Sequence, residues 1–307
     1  MEYLNLPDFR ALAALRAVVE HGGVDQAGHK LHIGQPAVTK RLRTLDKCYG
    51  LPLMQRDGRR LELTTAGQQV YEFACLILDH QATLLDDISA LRAGQKHLRL
   101  EVSHAIGEHL LPELLLRFNE LHPSFRIDSR VGYSRRIQTQ LATGLADLAL
   151  LEMAPKHPDI LVQKWLEDEL VLVCGPGHAF WGTDPIPATR LDTLLYVLRE
   201  ASAAMRVILD KALAEIGLQE IPVAMEVGSN DTIIEMLQGG RHVSFLPRFA
   251  VQEALAEGSL FHIKIQGLHI MRTLWIARTR ANLTNPVAEA FIDLLRDGQF
   301  TSTRPVA

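Results

Sequence analysis

A chain of 307 residues is longer than one ordinary hydrophobic core organises, so two or three domains are expected. No unbroken apolar run approaches the ~18 residues of a membrane span, and the start MEYLNLPDFRALAAL has no basic stretch followed by an apolar one, so neither an anchor nor a secretion signal is expected. A net charge of −4 excludes a uniformly basic nucleic-acid coat, yet residues 1–66 hold ten Lys/Arg against seven Asp/Glu, while residues 67–307 hold 22 against 29.

In chain order, Leu12, Leu15, Val18 and Val19 recur at helical spacing and predict a helix from about Pro7 to Glu20, with Pro7 in its opening turn and His21-Gly22-Gly23 at its end. Asp25 is the expected N-cap of a short second helix containing Ala27 and Leu31. After the turn His32-Ile33-Gly34, a third helix opens at Gln35-Pro36. Its Ala37, Val38, Leu42 and Leu45 supply packing groups, while Gln35, Thr39, Lys40 and Arg43 supply hydrogen-bonding groups. Two helices about a tight turn, the second opening with polar side chains, form the helix-turn-helix pattern. Gln suits bidentate reading of adenine, and Lys or Arg suits guanine or phosphate. Leu53–Arg56, then Asp57-Gly58-Arg59-Arg60, then Leu61–Leu63 predict a hairpin, because Asp-Gly is a strong turn signal. A basic hairpin beside a reading helix is a wing.

The run AGHKLHIGQPAVTKRLRTLDKCYGLPLMQRDGRRLELTTAG resembles the DNA-binding domain of LysR-type transcriptional regulators. The likeness is carried by Leu31, Gln35-Pro36-Ala37-Val38-Thr39, Leu42, Leu45, Gly50, Pro52-Leu53, Arg56, Leu63-Thr64 and Ala66-Gly67. It implies that Gln35, Pro36, Thr39, Lys40 and Arg56 approach DNA; Arg43, Arg59 and Arg60 join them as cations of the same helix and hairpin. The chain departs from the usual pattern at Gly34 (Ser in most members), Gly28 (Ala), Asp46 (Glu) and Met54 (Phe). On helix propensity alone, Gly28 weakens its helix by about 1 kcal/mol relative to Ala; Asp46 and Met54 are read as packing changes.

From residue 67 a connector is expected to run to about 96. Val70, Ala74, Ile77, Gln81, Leu84, Ile88 and Leu91 form a heptad seam, Gln81 being its polar member, and Ala93-Gly94-Gln95 ends it. With Phe73, Leu76, Leu78 and Leu85 as extra apolar surface, this helix is expected to pair with that of a second copy. Two symmetric heads would read an inverted repeat, which one small head cannot discriminate.

Residues 97–307 alternate predicted strands and helices. LRLEVSH, FRIDSRVG, DLALLEM, EDELVLVC, LLYVLRE, PVAMEVG, HVSFLP and MRTLWIAR are the strands; Gly107–His122 is the longest predicted helix. The alternation argues for parallel sheets, and the later strands read as buried. The segment also resembles the LysR effector domain, itself similar to periplasmic solute-binding proteins, through IGEHLLPELLLRF, LATGLADLALLE, LEDELVLVCGPGHAF and EVGSNDTIIEMLQGGRHVSFLPR. The expected fold is therefore α+β and multidomain: a winged helix-turn-helix (1–66), a linker helix (67–96) and a two-lobed α/β effector domain (97–307). Lobe one takes about 97–168 and 270–301, and lobe two about 169–269.

Strand-to-helix turns at Ser103-His104, Ser134, Ser202 and Ser229-Asn230 offer free N–H groups and positive dipole ends, so these six residues are the candidate ligands of a small, anionic effector in the cleft. Arg206 reads either as a positive group for that cleft or as a solvent-facing side chain. The expected partners are double-stranded DNA, the effector, a second copy of the chain as dimer or tetramer, and RNA polymerase; no cofactor, metal or membrane is expected. An enzyme is disfavoured, because there is no HExxH, no G-x-S-x-G, no Walker loop and no G-x-G-x-x-G. A solute-binding module without DNA activity explains the sensor but leaves residues 1–66 without a role. A thiol switch is disfavoured because the sensor holds only Cys174; with Cys48 and Cys75 far away, the cysteines suggest a reducing compartment, the cytoplasm.

Overall fold

A computed structural model describes residues 6–57, 60–92, 94, 96–183, 185–280 and 284–297. Contacts divide the chain into two compact units, Met1–Ala93 and Gly94–Ala307.

In the first unit α1 (Phe9–His21), α2 (Val24–Leu31) and α3 (Gln35–Tyr49) precede a hairpin of β1 (Met54–Asp57) and β2 (Arg60–Leu63), then the long α4 (Thr65–Arg92). Pro7 lies before α1 rather than in it: Asp8 is the cap, its carboxylate accepting the Arg10 N–H at 3.0 Å. Asp25 lies inside the first turn of α2, and Gly23 is the cap, so its charge serves the helix dipole and not a capping hydrogen bond. Leu12, Leu15, Leu45 and Ala74 are fully buried, joining α1, α3 and α4 in one core. Each leucine sequestered this way contributes roughly 1.5–3 kcal/mol.

Close approaches fix the turn and the wing. A Cβ at Gly28 would meet the Ile33 carbonyl oxygen at 2.8 Å, so the turn between α2 and α3 sits closer to the helix than alanine allows. Propensity alone therefore misjudges this glycine. A Cβ at Gly67 would lie 1.8 Å from the Leu53 carbonyl oxygen. Asp46 does more than pack: its Oδ1 accepts the Leu53 N–H at 2.9 Å, while Thr64 Oγ1 donates to the Pro52 carbonyl at 2.8 Å and accepts the Gly67 N–H at 2.9 Å. These bonds moor both ends of the hairpin.

The connector is not one continuous seam. Val70 and Ala74 are buried in the head's own core, whereas Phe73, Leu84, Leu85 and Ile88 remain exposed.

In the second unit the parallel set is β4 (Phe125–Gly132), β3 (Lys96–Ser103) and β5 (Leu148–Leu151), and a second set is β9 (Val243–Pro247), β7 (Tyr196–Arg199) and β8 (Val223–Val227). The expectation of purely parallel sheets fails between them. The long strands β6 (Ile160–Cys174) and β11 (Ile270–Thr279) pair antiparallel with each other, β11 also with β5, and β6 also with β9 and with β10 (Phe261–His262). A chain that crosses between two lobes and returns must run both ways. β6 also begins well before the predicted EDELVLVC: its early residues pair with β11 but are largely exposed, so they carry no buried-strand pattern.

The β3 sheet is covered on one face by α6 (Leu111–Leu121) and α11 (Pro286–Arg296), through Leu114, Phe118 and Phe291. Its other face is covered by α7 (Ser134–Ala142), through Ile137 and Leu141. The predicted helix Gly107–His122 is two helices, α5 (His104–His109) and α6, separated at Leu110, because Pro112 offers no N–H and restricts the residue before it. β8, read as buried, is an exposed edge strand. Around β7 and β9 the core is built from Leu172, Tyr196, Leu198, Leu209, Leu237 and Phe245, with α8 (Ala204–Glu215), α9 (Asn230–Gly239) and α10 (Arg248–Ala256) packed alongside.

Candidate nucleic-acid interface and effector cleft

The polar side of α3 is one continuous surface. Gln35, Pro36, Thr39, Lys40, Arg43, Thr44 and Lys47 line a shallow hollow of about 490 Å³. Val38 and Leu45, on the opposite side of the helix, are fully buried, which holds that surface outward. Gly34 caps the helix in extended conformation and offers no side-chain bond; Pro36 has no N–H and the Ala37 N–H reaches the Gly34 carbonyl at 2.9 Å, which leaves the Gln35 N–H as the open donor of the first turn. Lys40, Arg43 and Lys47 have no carboxylate partner among the described residues; three unneutralised cations spaced along one helix face suit a row of phosphates. Thr44 and Lys47 escaped the sequence reading as site residues, although the helical spacing from Lys40 and Arg43 points to them.

β1 and β2 pair in the register Arg56↔Leu61 and Asp57↔Arg60. That places Arg56 and Arg60 on the two wing strands; Arg59 lies outside the described residues.

In the second unit the carboxyl ends of four strands converge. Ser103 ends β3, Gly132 ends β4, Glu152 follows β5 and Arg199 ends β7. Together with His104, Tyr133, Ser134 and Ala203–Met205 they line a void of only about 10 Å³, room for no more than about one water. The cleft is closed. Tyr133 bridges its mouth, donating its hydroxyl to Glu200 at 2.8 Å and packing on the His104 ring at 4.6 Å.

Of the six residues read as effector ligands, Ser103, His104 and Ser134 come together here. Ser202 is exposed and does not line the void. Ser229 is the N-cap of α9 without a side-chain cap bond, and Asn230 is fully buried, donating Nδ2 to Glu108 at 3.1 Å. Asn230 therefore ties α9 to α5 across the lobes rather than lining the void. Arg206 does not line the void: its partly buried guanidinium binds Asp210 at 2.9 Å, Glu226 at 3.0 Å and the Arg199 carbonyl at 3.0 Å.

Two wall residues escaped the sequence reading. Arg199 is almost fully buried and pairs with Glu200 at 3.0 Å. Burial opposes its charge, but Glu200, with Glu108 and Glu152 nearby, holds its pKa above the ordinary arginine value. Glu152 accepts Arg272 Nη1 at 2.6 Å, and Arg272 Nε donates to Asp168 at 2.7 Å. Burial raises the pKa of Asp168, a shift that Arg272 only partly opposes. Among the described residues, the buried Ser103 Oγ, His109 Nε2, Asn230 Oδ1 and Arg272 Nη2 make no hydrogen bond, although His109 Nε2 lies 3.6 Å from Asp231 and 3.7 Å from Glu108. Of these only Ser103 Oγ lines the void; native proteins leave few such groups, so this hydroxyl marks a place for a further polar partner.

A helix-turn-helix with an uncompensated basic face, followed by a two-lobed sensor with a polar cleft, defines a ligand-responsive DNA-binding regulator. Residues 9–68 match the family model described as bacterial regulatory helix-turn-helix protein, lysR family, and residues 92–299 match the LysR substrate binding domain. The chain belongs to the LysR family of transcriptional regulators. It is 28% identical to the HTH-type transcriptional activator CmpR of Synechocystis sp. over 298 residues, covering 96% of each chain. It is also 28% identical to the uncharacterized HTH-type transcriptional regulator YeiE of Escherichia coli, covering 92% of this chain and 95% of that one. Among solved structures, full-length CbnR complexed with its target DNA superposes with a TM-score of 0.74 at 20% identity, covering 94% of this chain and 99% of CbnR. The regulatory domain of Synechocystis CcmR in complex with 2-PG superposes with a TM-score of 0.61 at 23% identity, over 67% of this chain and 98% of that domain. No helix among the described residues is long and apolar enough to cross a membrane.

Proposed function

We propose that this regulator binds an inverted-repeat operator as a dimer or tetramer, through the exposed face of α3 and the wing, and that a small molecule carrying an anionic group controls it from the closed cleft. The observation that carries the DNA half is the row Lys40, Arg43 and Lys47, without carboxylate partners among the described residues and on the same face as Gln35 and Thr39. Such a face suits a polyanion, whose phosphates the three cations would neutralise. Pairing of two copies is supported by the exposed Leu84, Leu85 and Ile88 on the far half of α4, a hydrophobic strip that the head's own core does not cover. The effector half is supported by open helix N-termini at Ser134 and Ala203 beside Arg199. In this reading the effector leaves the cleft unaltered, the protein works in the cytoplasm where its DNA lies, and RNA polymerase is its partner at the promoter. The effector acts by binding one arrangement of the subunits better than the other.

Footprinting on genomic fragments tests the reading. A protected, two-fold symmetric site is expected, lost in the Lys40→Ala/Arg43→Ala variant while that variant stays folded. Absence of any preferred fragment at low ionic strength would overturn it. Light scattering of Leu84→Glu/Ile88→Glu checks the pairing helix: a smaller assembly supports it, an unchanged one refutes it.

A further inference from the structure

The cleft holds an acid where a site for a plain anion should have none. Its anion-favouring features are plain: α7 and α8 both open without a side-chain cap, with Ser134 and Ala203 at the void, and Arg199 stands in the wall. Ser103 Oγ, on a side chain 3% exposed, lines the same void and has no partner. That unpaired hydroxyl, on the residue that precedes the short α5, is separate from the ends of α7 and α8 and points to a missing polar group. Yet Glu152, 5% exposed, lines the void as well, and of its two oxygens only Oε2 is bonded, to Arg272; Oε1 has no partner among the described residues.

The fixed charge around the cleft leans the same way. Glu108, Glu152, Asp168 and Glu200 stand against Arg199 and Arg272, with Arg206 engaged by Asp210 and Glu226. A ligand that brings only negative charge would meet Glu152 at close range, in a largely buried site where water screens the repulsion only in part. One that brings a cationic N–H donor beside its carboxylate would satisfy both walls at once.

We propose, resting on the reading that this cleft is the effector site, that it takes an α-amino acid or a molecule with the same zwitterionic head. The carboxylate lies on the open ends of α7 and α8 with Ser103 and Arg199, and the ammonium lies on Glu152. Because the void has the volume of about one water, binding requires the lobes to part first.

The test uses the full-length protein and isothermal titration with the standard L-amino acids. For each amino acid that binds, the matching 2-hydroxy acid and the deaminated carboxylate follow. At least one amino acid is expected to bind, with both counterparts weaker by about tenfold or more, the usual worth of a charge-assisted hydrogen bond. Glu152→Gln is expected to erase that discrimination, and Arg199→Gln to weaken every carboxylate. Should Glu152→Gln fail to fold, the wild-type comparison decides alone. Equal or tighter binding of the hydroxy acids, or no binding of any amino acid, overturns the zwitterion while leaving the cleft as a candidate site. An amino acid whose binding is unchanged in both variants sits elsewhere, and that result removes the cleft reading as well.

Discussion

The α3 face and the effector cleft use charge in opposite ways. On α3 the cations are exposed, spaced along one helix and, among the described residues, without carboxylate partners. Behind the cleft wall the charges are buried and paired across strands distant in sequence: Arg272, 5% exposed, holds Glu152 and Asp168 together. A surface that awaits a polyanion can leave its charges to solvent. A sensor that must recognise one small molecule holds them dry and oriented until the molecule arrives.

That contrast breaks most directly at Arg272. Arg272→Met leaves Glu152 and Asp168 buried without their cation and is expected to cost about 3–5 kcal/mol, visible as a large fall in the sensor's thermal transition. A variant as stable as wild type would show that Arg272 is not what keeps Glu152 and Asp168 stable in the interior. On the other side of the comparison, Lys40→Ala should leave thermal stability nearly unchanged while weakening operator binding and lowering the salt slope by about 1 per half-site. Gln35→Ala should cost ~1–3 kcal/mol at one base position, measured by binding to operators altered one pair at a time. If either variant melts markedly earlier, α3 is serving the fold as well as DNA.

Acid sharpens the contrast further. Burial lowers the pKa of His109, against the pull of Asp231, Glu108 and Glu152, and likewise lowers those of His178 and His262. As pH falls below about 6.5 the unfolded chain takes up protons that the folded sensor refuses, so their contribution to stability is complete above that pH and declines below it. Denaturation at about pH 7.5 and about pH 6 should show the sensor less stable at the lower value. Equal or greater stability at the lower value would contradict the burial of these rings. The smallest effect is Gly28→Ala. Alanine gains about 1 kcal/mol of helix propensity, but its Cβ presses on the Ile33 carbonyl at 2.8 Å. No net gain in the head's stability is expected, and a rise worth the full propensity would show the turn to be looser than drawn.

Legibility in the sequence follows the same division. The reading face was visible because a helix repeats every few residues: Gln35, Thr39, Lys40 and Arg43 declare a polar side as soon as Val38 and Leu45 declare an apolar one, and the same spacing reaches Thr44 and Lys47. The cleft was half visible. Ser103, His104 and Ser134 sit at strand-to-helix turns, which local pattern reveals. Glu152 and Arg199 were passed over, though each is a charged residue closing an apolar run, LALLE and YVLR, and a charge at the carboxyl end of a buried strand is a signal. What pattern cannot show is which strand ends meet, since that depends on the antiparallel crossing of β6 and β11. Gly28 and Asp46 were misjudged for a related reason: their roles come from carbonyl and N–H groups of neighbouring segments. Buried Cys174, its thiol pushed up to about 11 by desolvation, is a poor nucleophile and lends no support to a thiol switch.

Selection of duplexes from a random pool, with wild-type protein and with Gln35→Ala in parallel, tests the central claim most directly. Enrichment of a two-fold symmetric sequence by wild type, with preference relaxed at one position in each half by the variant, is the result this account predicts. A pool that stays random after wild-type selection, or identical preferences in the two proteins, would contradict the assignment of α3 as the element that reads DNA.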